Sequence, residues 1–396
     1  MSDPLPKSVV YHFRTRGTGA EGVHIAGIAN ALEKLGYHIR FVSPTGVDPR
    51  KSAGENPFQQ KTKKSLASRI LAKCPDVCFE LLEIGYNFFA WRKIAAALRE
   101  KGCEFIYERH AFFLCATALL AQGRNIPLVI EVNELVGDQR IRKQPLLSFI
   151  ARWTDKISFR RASLIIVVSP HLKRRIESYG IAPERILVLP NAVAAEDHAE
   201  VHDGRPVREK LRLTKDHVLI GFIGWFVEWH RLDLFLKVFA RVHKTLPNTR
   251  LALVGEGKLK QELEAQVARE KLEDAVFFVN AVPHHEVPRY IAAFDIAVVP
   301  HSNDYRSPIK LFEYMAEAKV VVAPRTEPIE MVISEGRNGI LFEPLSEEGF
   351  VSTLEQLAKD PAKRAQFGTE ARKNVLERYT WVANATQLLR RLKNNS

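Results

Sequence analysis

The chain has 396 residues, 46% hydrophobic and 26% charged, a composition typical of a soluble globular protein. Its length exceeds the usual single-domain size, so two domains are expected. The longest apolar runs are strand-sized and Met1-Ser2-Asp3-Pro4 opens no basic-then-apolar leader, which argues against membrane spanning and secretion.

The formal charge of +12 is unevenly spread. Residues 1–200 hold 29 Lys and Arg against 20 Asp and Glu, or +9, leaving +3 for the remainder. Such an excess suits either an acidic partner, lipid headgroups or nucleic acid, or a solvated basic surface. Cys74, Cys78, Cys103 and Cys115 lack a second pair at zinc-finger spacing, and no histidine cluster completes a site. They are expected to be buried core thiols in a reducing compartment.

Val9-Val10-Tyr11-His12-Phe13 predicts a first strand, and a helix through Ile25, Ile28, Ala29, Leu32 and Leu35 stops at Gly36. Between them Gly17, Gly19 and Gly22 spell G-x-G-x-x-G, the pattern of a nicotinamide or flavin dinucleotide site. Two features oppose that reading. Three residues, two of them arginines, separate the strand from Gly17, and Val42-Ser43-Pro44 ends the next strand without an acid for a ribose. The glycines can instead bring a phosphate or sugar close to the backbone.

Residues 48–75 are polar and basic and suit a surface loop. Residues 82–98, with Tyr86, Phe88, Phe89 and Trp91, predict one or two helices. Strands at 105–107 and 128–132 end at Glu108-Arg109-His110 and at Glu131-Val132-Asn133-Glu134. Polar groups just past strand C-termini point into the crevice where open α/β sheets bind ligands, which makes His110 and Glu131 site candidates. Residues 139–161 interleave basic side chains with Phe149, Trp153 and Phe159, a pattern that suits a membrane surface or an ordinary solvated helix. Further strands at 163–169 and 186–189 precede an acidic, alanine-rich stretch to about Pro206 that reads as a linker.

A second α/β series begins at Val218. Gly224 and Gly255 end two of its strands, leaving the sheet edge open for a nucleotide. After the apolar run Ile296-Ala297-Val298-Val299-Pro300, Ser307 and Pro308 predict a helix start, with Ser307 as cap and Pro308 as first helical residue. A helix N-terminus after a strand favours an anion. Lys310 and Glu313, three residues apart, share a helix face. The lysine suits a phosphate and the carboxylate a diol, so the pair suggests a sugar nucleotide.

These motifs, in this order, resemble family 4 of the retaining nucleotide-sugar glycosyltransferases. They are Leu187-Val188-Leu189-Pro190-Asn191, Gly221-Phe222-Ile223-Gly224, Leu253-Val254-Gly255-Glu256-Gly257, Asp295 to Pro300, Ser307 to Ala316, Glu330, and Asn338-Gly339-Ile340. The resemblance implies the GT-B fold, two Rossmann-like open-sheet domains facing a cleft. It places an acceptor-side domain at 1–205, a nucleotide-sugar domain at 206–375, and a crossover helix at 376–396 returning to the first domain. It also implies a donor site of Gly17, Gly19, Gly22, Gly224, His230, Arg231, Gly255, Ser307, Pro308, Ile309, Lys310 and Glu313. His110, Lys310 and Asp304 would be the catalytic residues, with Lys310 neutralising the leaving diphosphate and His110 orienting the sugar.

The family's first signature glutamate falls on Tyr305, beside Asp304, and its phosphate-clamping Arg and Lys fall near Trp225 and His230. The glycine and proline that usually follow this helix are Ala318 and Val320. The implied activity is metal-independent transfer of a sugar from a nucleoside diphosphate to a lipid-linked or polysaccharide acceptor. No cofactor is expected, and nucleic acid is not an expected partner; an anionic membrane surface is. The expected location is the cytoplasm, at the inner face of a membrane. The departures leave two other readings open, a non-catalytic GT-B subunit and a sugar-nucleotide epimerase.

Overall fold

The computed structural model describes residues 7–15, 17, 19–52, 76–100, 102–138 and 144–395. Most of the basic stretch at 48–75 therefore lies outside the described residues, as do Cys74, Arg140, Arg142 and Lys143. The chain divides into two units, Met1–Pro190 with Val382–Ser396, and Asn191–Trp381.

The first unit holds β1 (Ser8–His12), β2 (His38–Val42), β3 (Cys103–Arg109), β4 (Leu128–Val132), β5 (Leu164–Val167) and β6 (Ile186–Val188). All pair in parallel, in the order β2-β1-β3-β4-β5-β6. Every residue of β1, β4 and β5 is buried. A parallel strand covered on both faces has no solvent side to keep polar, which is why these strands stand out as unbroken apolar runs. Helices α1 (Gly19–Lys34), α2 (Pro49–Ser52), α3 (Asp76–Ala97), α4 (Ala116–Arg124), α5 (Ser148–Arg161) and α6 (Pro170–Glu177) belong to this unit. The aromatic stretch is thus one helix, α3.

The second unit holds β7 (Val218–Ile223), β8 (Thr249–Val254), β9 (Val276–Val279), β10 (Ile296–Val298), β11 (Val320–Pro324) and β12 (Ile340–Phe342). They pair in the parallel order β12-β11-β10-β7-β8-β9. Two hydrophobic clusters cover its faces, one built around Phe222, Phe235, Phe239 and Phe350, the other around Phe294, Phe312, Tyr314 and Met315. The helices are α7 (Arg205–Lys210), α8 (Leu232–Thr245), α9 (Lys260–Arg269), α10 (Val287–Ala293), α11 (Ile309–Ala316), α12 (Glu327–Glu330), α13 (Glu347–Lys359) and α14 (Pro361–Arg378). The last, α15 (Trp381–Asn395), lies almost wholly in the first unit.

In each sheet the strand order reverses at one point, between β1 and β3 and between β7 and β10. The loops after those strands diverge to opposite faces, opening a crevice at the strand C-termini.

Three expectations change. The unit boundary falls after Pro190, and residues 191–204 belong to the second unit instead of forming a linker. The Asn191 N–H donates to Ser307 Oγ at 3.0 Å, and Val193 exchanges backbone hydrogen bonds with Tyr379 and Trp381. Composition alone cannot register such long-range bonds. At the other end the first unit resumes at Val382, where Asn384 Nδ2 donates to the Pro190 carbonyl at 2.8 Å. The cysteines also differ: Cys78 is exposed, and Cys103 and Cys115 are half-buried.

Candidate donor site at the second switch point

Helix α11 is fixed to the sheet by Tyr314, whose buried hydroxyl accepts from the Ile223 N–H at 2.9 Å. This bond joins the helix that follows β10 to the end of β7, the two strands flanking the reversal. Pro308, at φ −73° and ψ 120°, is the N-cap residue, and the helix begins at Ile309. The Ser307 hydroxyl is not the cap, because Asn191 engages it. At the far end Ala318 adopts φ +54°, occupying with a side chain the left-handed position that glycine ordinarily fills.

Glycine is required after both β7 and β8. Gly224 has φ +145°, and a Cβ there would lie 2.5 Å from Lys310 Nζ. Gly255 has φ +148°, and its Cβ would lie 1.9 Å from the Gly224 carbonyl oxygen. The two loops therefore nest backbone on backbone, and Lys310 enters directly over Gly224.

Lys310 Nζ sits 4.0 Å from the centre of the Phe222 ring and donates to His230 Nε2 at 3.3 Å. Burial pulls the Lys310 pKa down to about 7, against the opposing charge of Glu313. His230 is lowered well below the usual imidazole value, by burial first and then by the charges of Lys310, Arg306 and His301. A neutral His230 that accepts at Nε2 must carry its proton on Nδ1, and Nδ1 is buried without a hydrogen-bond partner among the described residues. A cation over a glycine loop and an unanswered N–H donor form a receptor for anionic oxygen.

Glu313, one turn further in, accepts from His284 Nε2 at 3.0 Å. Burial acts to raise its pKa, but the His284 hydrogen bond and the charges of His284, His198 and Lys310 outweigh it, so the group stays ionised. An ionised carboxylate can accept from both hydroxyls of a diol.

The expected residues are thus sorted. Gly224, Gly255, His230, Ile309, Lys310 and Glu313 are brought together. Arg231 is not with them: its guanidinium is held by Asp233 at 3.0 Å while its backbone turns through φ +48° into α8. Asp304 is exposed, whereas Tyr305 is 4% exposed. Its hydroxyl accepts from Arg306 Nε at 3.0 Å, and the guanidinium lies 5.3 Å from its ring and 5.0 Å from that of Trp229. His284 and Arg306 were missed as site residues. The only local signal for His284 was its placement in a turn after a strand.

In the first unit Gly17, Gly19 and Gly22 lie past the end of β1, and a Cβ on Gly22 would come 2.3 Å from the Gly17 carbonyl oxygen. His110 follows β3, with its Nε2 2.8 Å from Asp155 Oδ1 and its ring against Phe159. Both features border that unit's own switch point. Glu131 is fully buried and accepts from Tyr107 at 2.7 Å, His24 at 2.9 Å, and Arg109 and Asn133 at 2.5 Å each.

Comparison with known proteins bears on the family and the fold. Residues 21–197 match the model described as Glycosyltransferase Family 4, and residues 205–374 match Glycosyl transferases group 1. The D-inositol 3-phosphate glycosyltransferase of Streptosporangium roseum is 27% identical over 94% of this chain and 88% of its own. The alpha-D-kanosaminyltransferase of Streptomyces kanamyceticus is 21% identical over 68% of this chain and 71% of its own. Among solved structures, Anabaena HepE in complex with UDP and glucose superposes with a TM-score of 0.70 at 17% identity, covering 98% of this chain and 100% of that one. A Rickettsia africae glycosyltransferase reaches 0.75 at 14% identity, covering 99% of both. The two family models between them span both units, and the chain belongs to the family 4 glycosyltransferases of GT-B fold.

Proposed function

We propose that this glycosyltransferase takes its sugar from a nucleoside diphosphate donor and transfers it with retention of configuration to a lipid-linked or polysaccharide acceptor. The observation that carries the reading is Lys310 over the Gly224 loop, beside the unanswered Nδ1 of His230. In this reading Lys310, His230 and the first amides of α11 hold the departing diphosphate, so no metal is needed there. Glu313, held by His284, takes the ribose. Gly17, Gly19, Gly22 and His110 border the sugar and acceptor, and Asp304 lies at the sugar end of the α11 loop. The UDP and glucose held by HepE support a uridine donor as the first to test.

A thermal-shift screen of uridine, guanosine and adenosine diphosphate sugars tests the reading, because a ligand raises stability with the logarithm of its excess. One donor is expected to raise Tm and to be consumed only when acceptor is present. Glu313→Ala is expected to weaken that donor by about tenfold, the worth of one charge-assisted hydrogen bond. Binding without turnover would favour a non-catalytic subunit, the reading that Tyr305 motivates; isomerised donor without acceptor would favour an epimerase.

We also propose that the first unit works at the cytoplasmic face of a membrane. On α3, Phe79, Leu81, Leu82, Phe88, Phe89 and Trp91 are 43–63% exposed. Glu80 ties this helix to the start of α5 by accepting from the Leu146 and Leu147 N–H groups. There Leu146, Phe149 and Trp153 are 62–69% exposed. None of the described helices is long and apolar enough to cross a membrane. Exposed aromatics among basic side chains suit insertion at the headgroup level. The chain is expected to float with phosphatidylglycerol vesicles but not with phosphatidylcholine vesicles. Phe149→Ser with Trp153→Ser should release it; equal flotation of that variant would overturn the proposal.

A further inference from the structure

His198, His202 and Glu317 form a cluster that the donor site does not use. Glu317 is fully buried, at the C-cap of α11, one turn beyond Glu313. His198 Nδ1 approaches its Oε1 at 2.6 Å, and His202 Nδ1 approaches the same oxygen at 2.9 Å. The His202 N–H donates to Oε2 at 2.9 Å and so aims Oε1 at both rings. The two nitrogens and the carboxylate oxygen lie within 4.8 Å of one another.

His198 and His202 both turn their Nδ1 atoms to this buried carboxylate. The backbone around it is clamped. The Arg372 guanidinium donates to the carbonyls of His198 at 2.5 Å, of Ala199 at 3.1 Å and of Ala316. One side chain from α14 thereby locks the segment carrying His198 to the end of the helix carrying Glu317.

We propose that His198, His202 and Glu317 bind a divalent metal ion of the zinc class. Two imidazole nitrogens and one carboxylate oxygen are ordinary zinc donors, and three protein ligands leave a fourth position for water. His202 is 30% exposed, which gives the ion a route in and the water its place. Zinc–ligand distances of about 2.0–2.1 Å require the three atoms to separate to roughly 3.4 Å, a change within reach of side-chain rotation. Each ring then coordinates through Nδ1 and carries its proton on Nε2. The ion would pin residues 198–202 to the end of α11, whose first two turns carry Lys310 and Glu313. The ion stands apart from the diphosphate. No local spacing reveals this cluster, because Glu317 lies 115 residues from His202.

The test uses the full chain freed of metal by chelation and titrated with Zn²⁺ alone. One equivalent is expected to bind, with Tm rising by several degrees, and Co²⁺ should give the intense visible bands of a tetrahedral site. His202→Asn keeps an N–H donor near the Nδ1 position but removes the imidazole. It is expected to match the chelated wild type in Tm and to lose the rise with Zn²⁺. The double variant His198→Asn with His202→Asn is expected to bind no stoichiometric zinc. Failure of the wild type to bind one equivalent, or undiminished binding by the double variant, would overturn the proposal in favour of a simple hydrogen-bonded triad. Neither outcome depends on the identity of the sugar donor.

Discussion

Lys310→Met is expected to lower kcat/KM for the nucleotide sugar by about 10²–10³-fold, the usual cost of removing one preorganised group that stabilises developing charge. The substitution keeps an unbranched side chain against Phe222 and removes a buried ammonium, so Tm should not fall. The ammonium contributes most where it is protonated. Its pKa is lowered to about 7 by burial, and a bound diphosphate would raise it. Donor binding should therefore take up a proton above pH 7 and weaken as pH rises from about 7 to 9. The stability sign is separate. A lysine whose folded pKa lies below its unfolded value costs stability in full below pH 7, and that cost is relieved as pH rises from about 7 toward the unfolded value. Calorimetry at pH 6.5 and 8.5, in two buffers of different ionisation enthalpy, measures the proton uptake. An unchanged pH dependence in Lys310→Met would remove Lys310 from the phosphate site.

Glu131→Ala should destabilise the first unit by about 3–5 kcal/mol, because it strands the buried partners of a paired charge. His24, Tyr107, Arg109 and Asn133 all lose their acceptor. Glu131→Gln should cost less, since an amide oxygen still accepts. Burial opposes ionisation of Glu131, but the charges of His24 and Arg109, with hydrogen bonds from His24 and Tyr107, hold its pKa well below the usual carboxylate range. A depressed carboxyl contributes stability above its unfolded value, near 4.3, and loses it as pH falls toward the folded value. Urea unfolding of the wild type should therefore weaken steeply below about pH 4.5, and that of Glu131→Gln less so. Parallel pH profiles would show that Glu131 titrates alike in the folded and unfolded chain and would overturn this reading.

The residue pairs explain what was legible and what was not. Strands buried on both faces carry their signal in adjacent residues, so β1, β4, β5, β7 and β10 lie within a few positions of the apolar runs that predict them. Lys310 and Glu313 share a helix face by spacing alone, and Gly224 and Gly255 stand out as glycines ending strands. Arg231 and His230 part company for an equally local reason. Asp233, two residues away, captures its guanidinium, while the adjacent His230 turns to Lys310. No periodicity distinguishes neighbours in one irregular turn. Residues 191–204 resembled a linker because small and acidic residues do not reveal the backbone bonds that Val193 makes with Tyr379 and Trp381.

By itself, then, the sequence determined the order of strands and helices, the two-sheet architecture, the family and the helix that carries Lys310 and Glu313. Each depends on short spacings or on the order of local motifs. Only the tertiary structure decided that His284 holds Glu313, that His230 presents an unanswered N–H beside Lys310, and that Tyr305 engages Arg306 near Trp229. It alone joined His198 and His202 to Glu317. Except for the neighbouring Tyr305 and Arg306, these partners are separated by 29 to 119 residues. Folding brings them together at the ends of strands and helices, where chain spacing no longer measures distance.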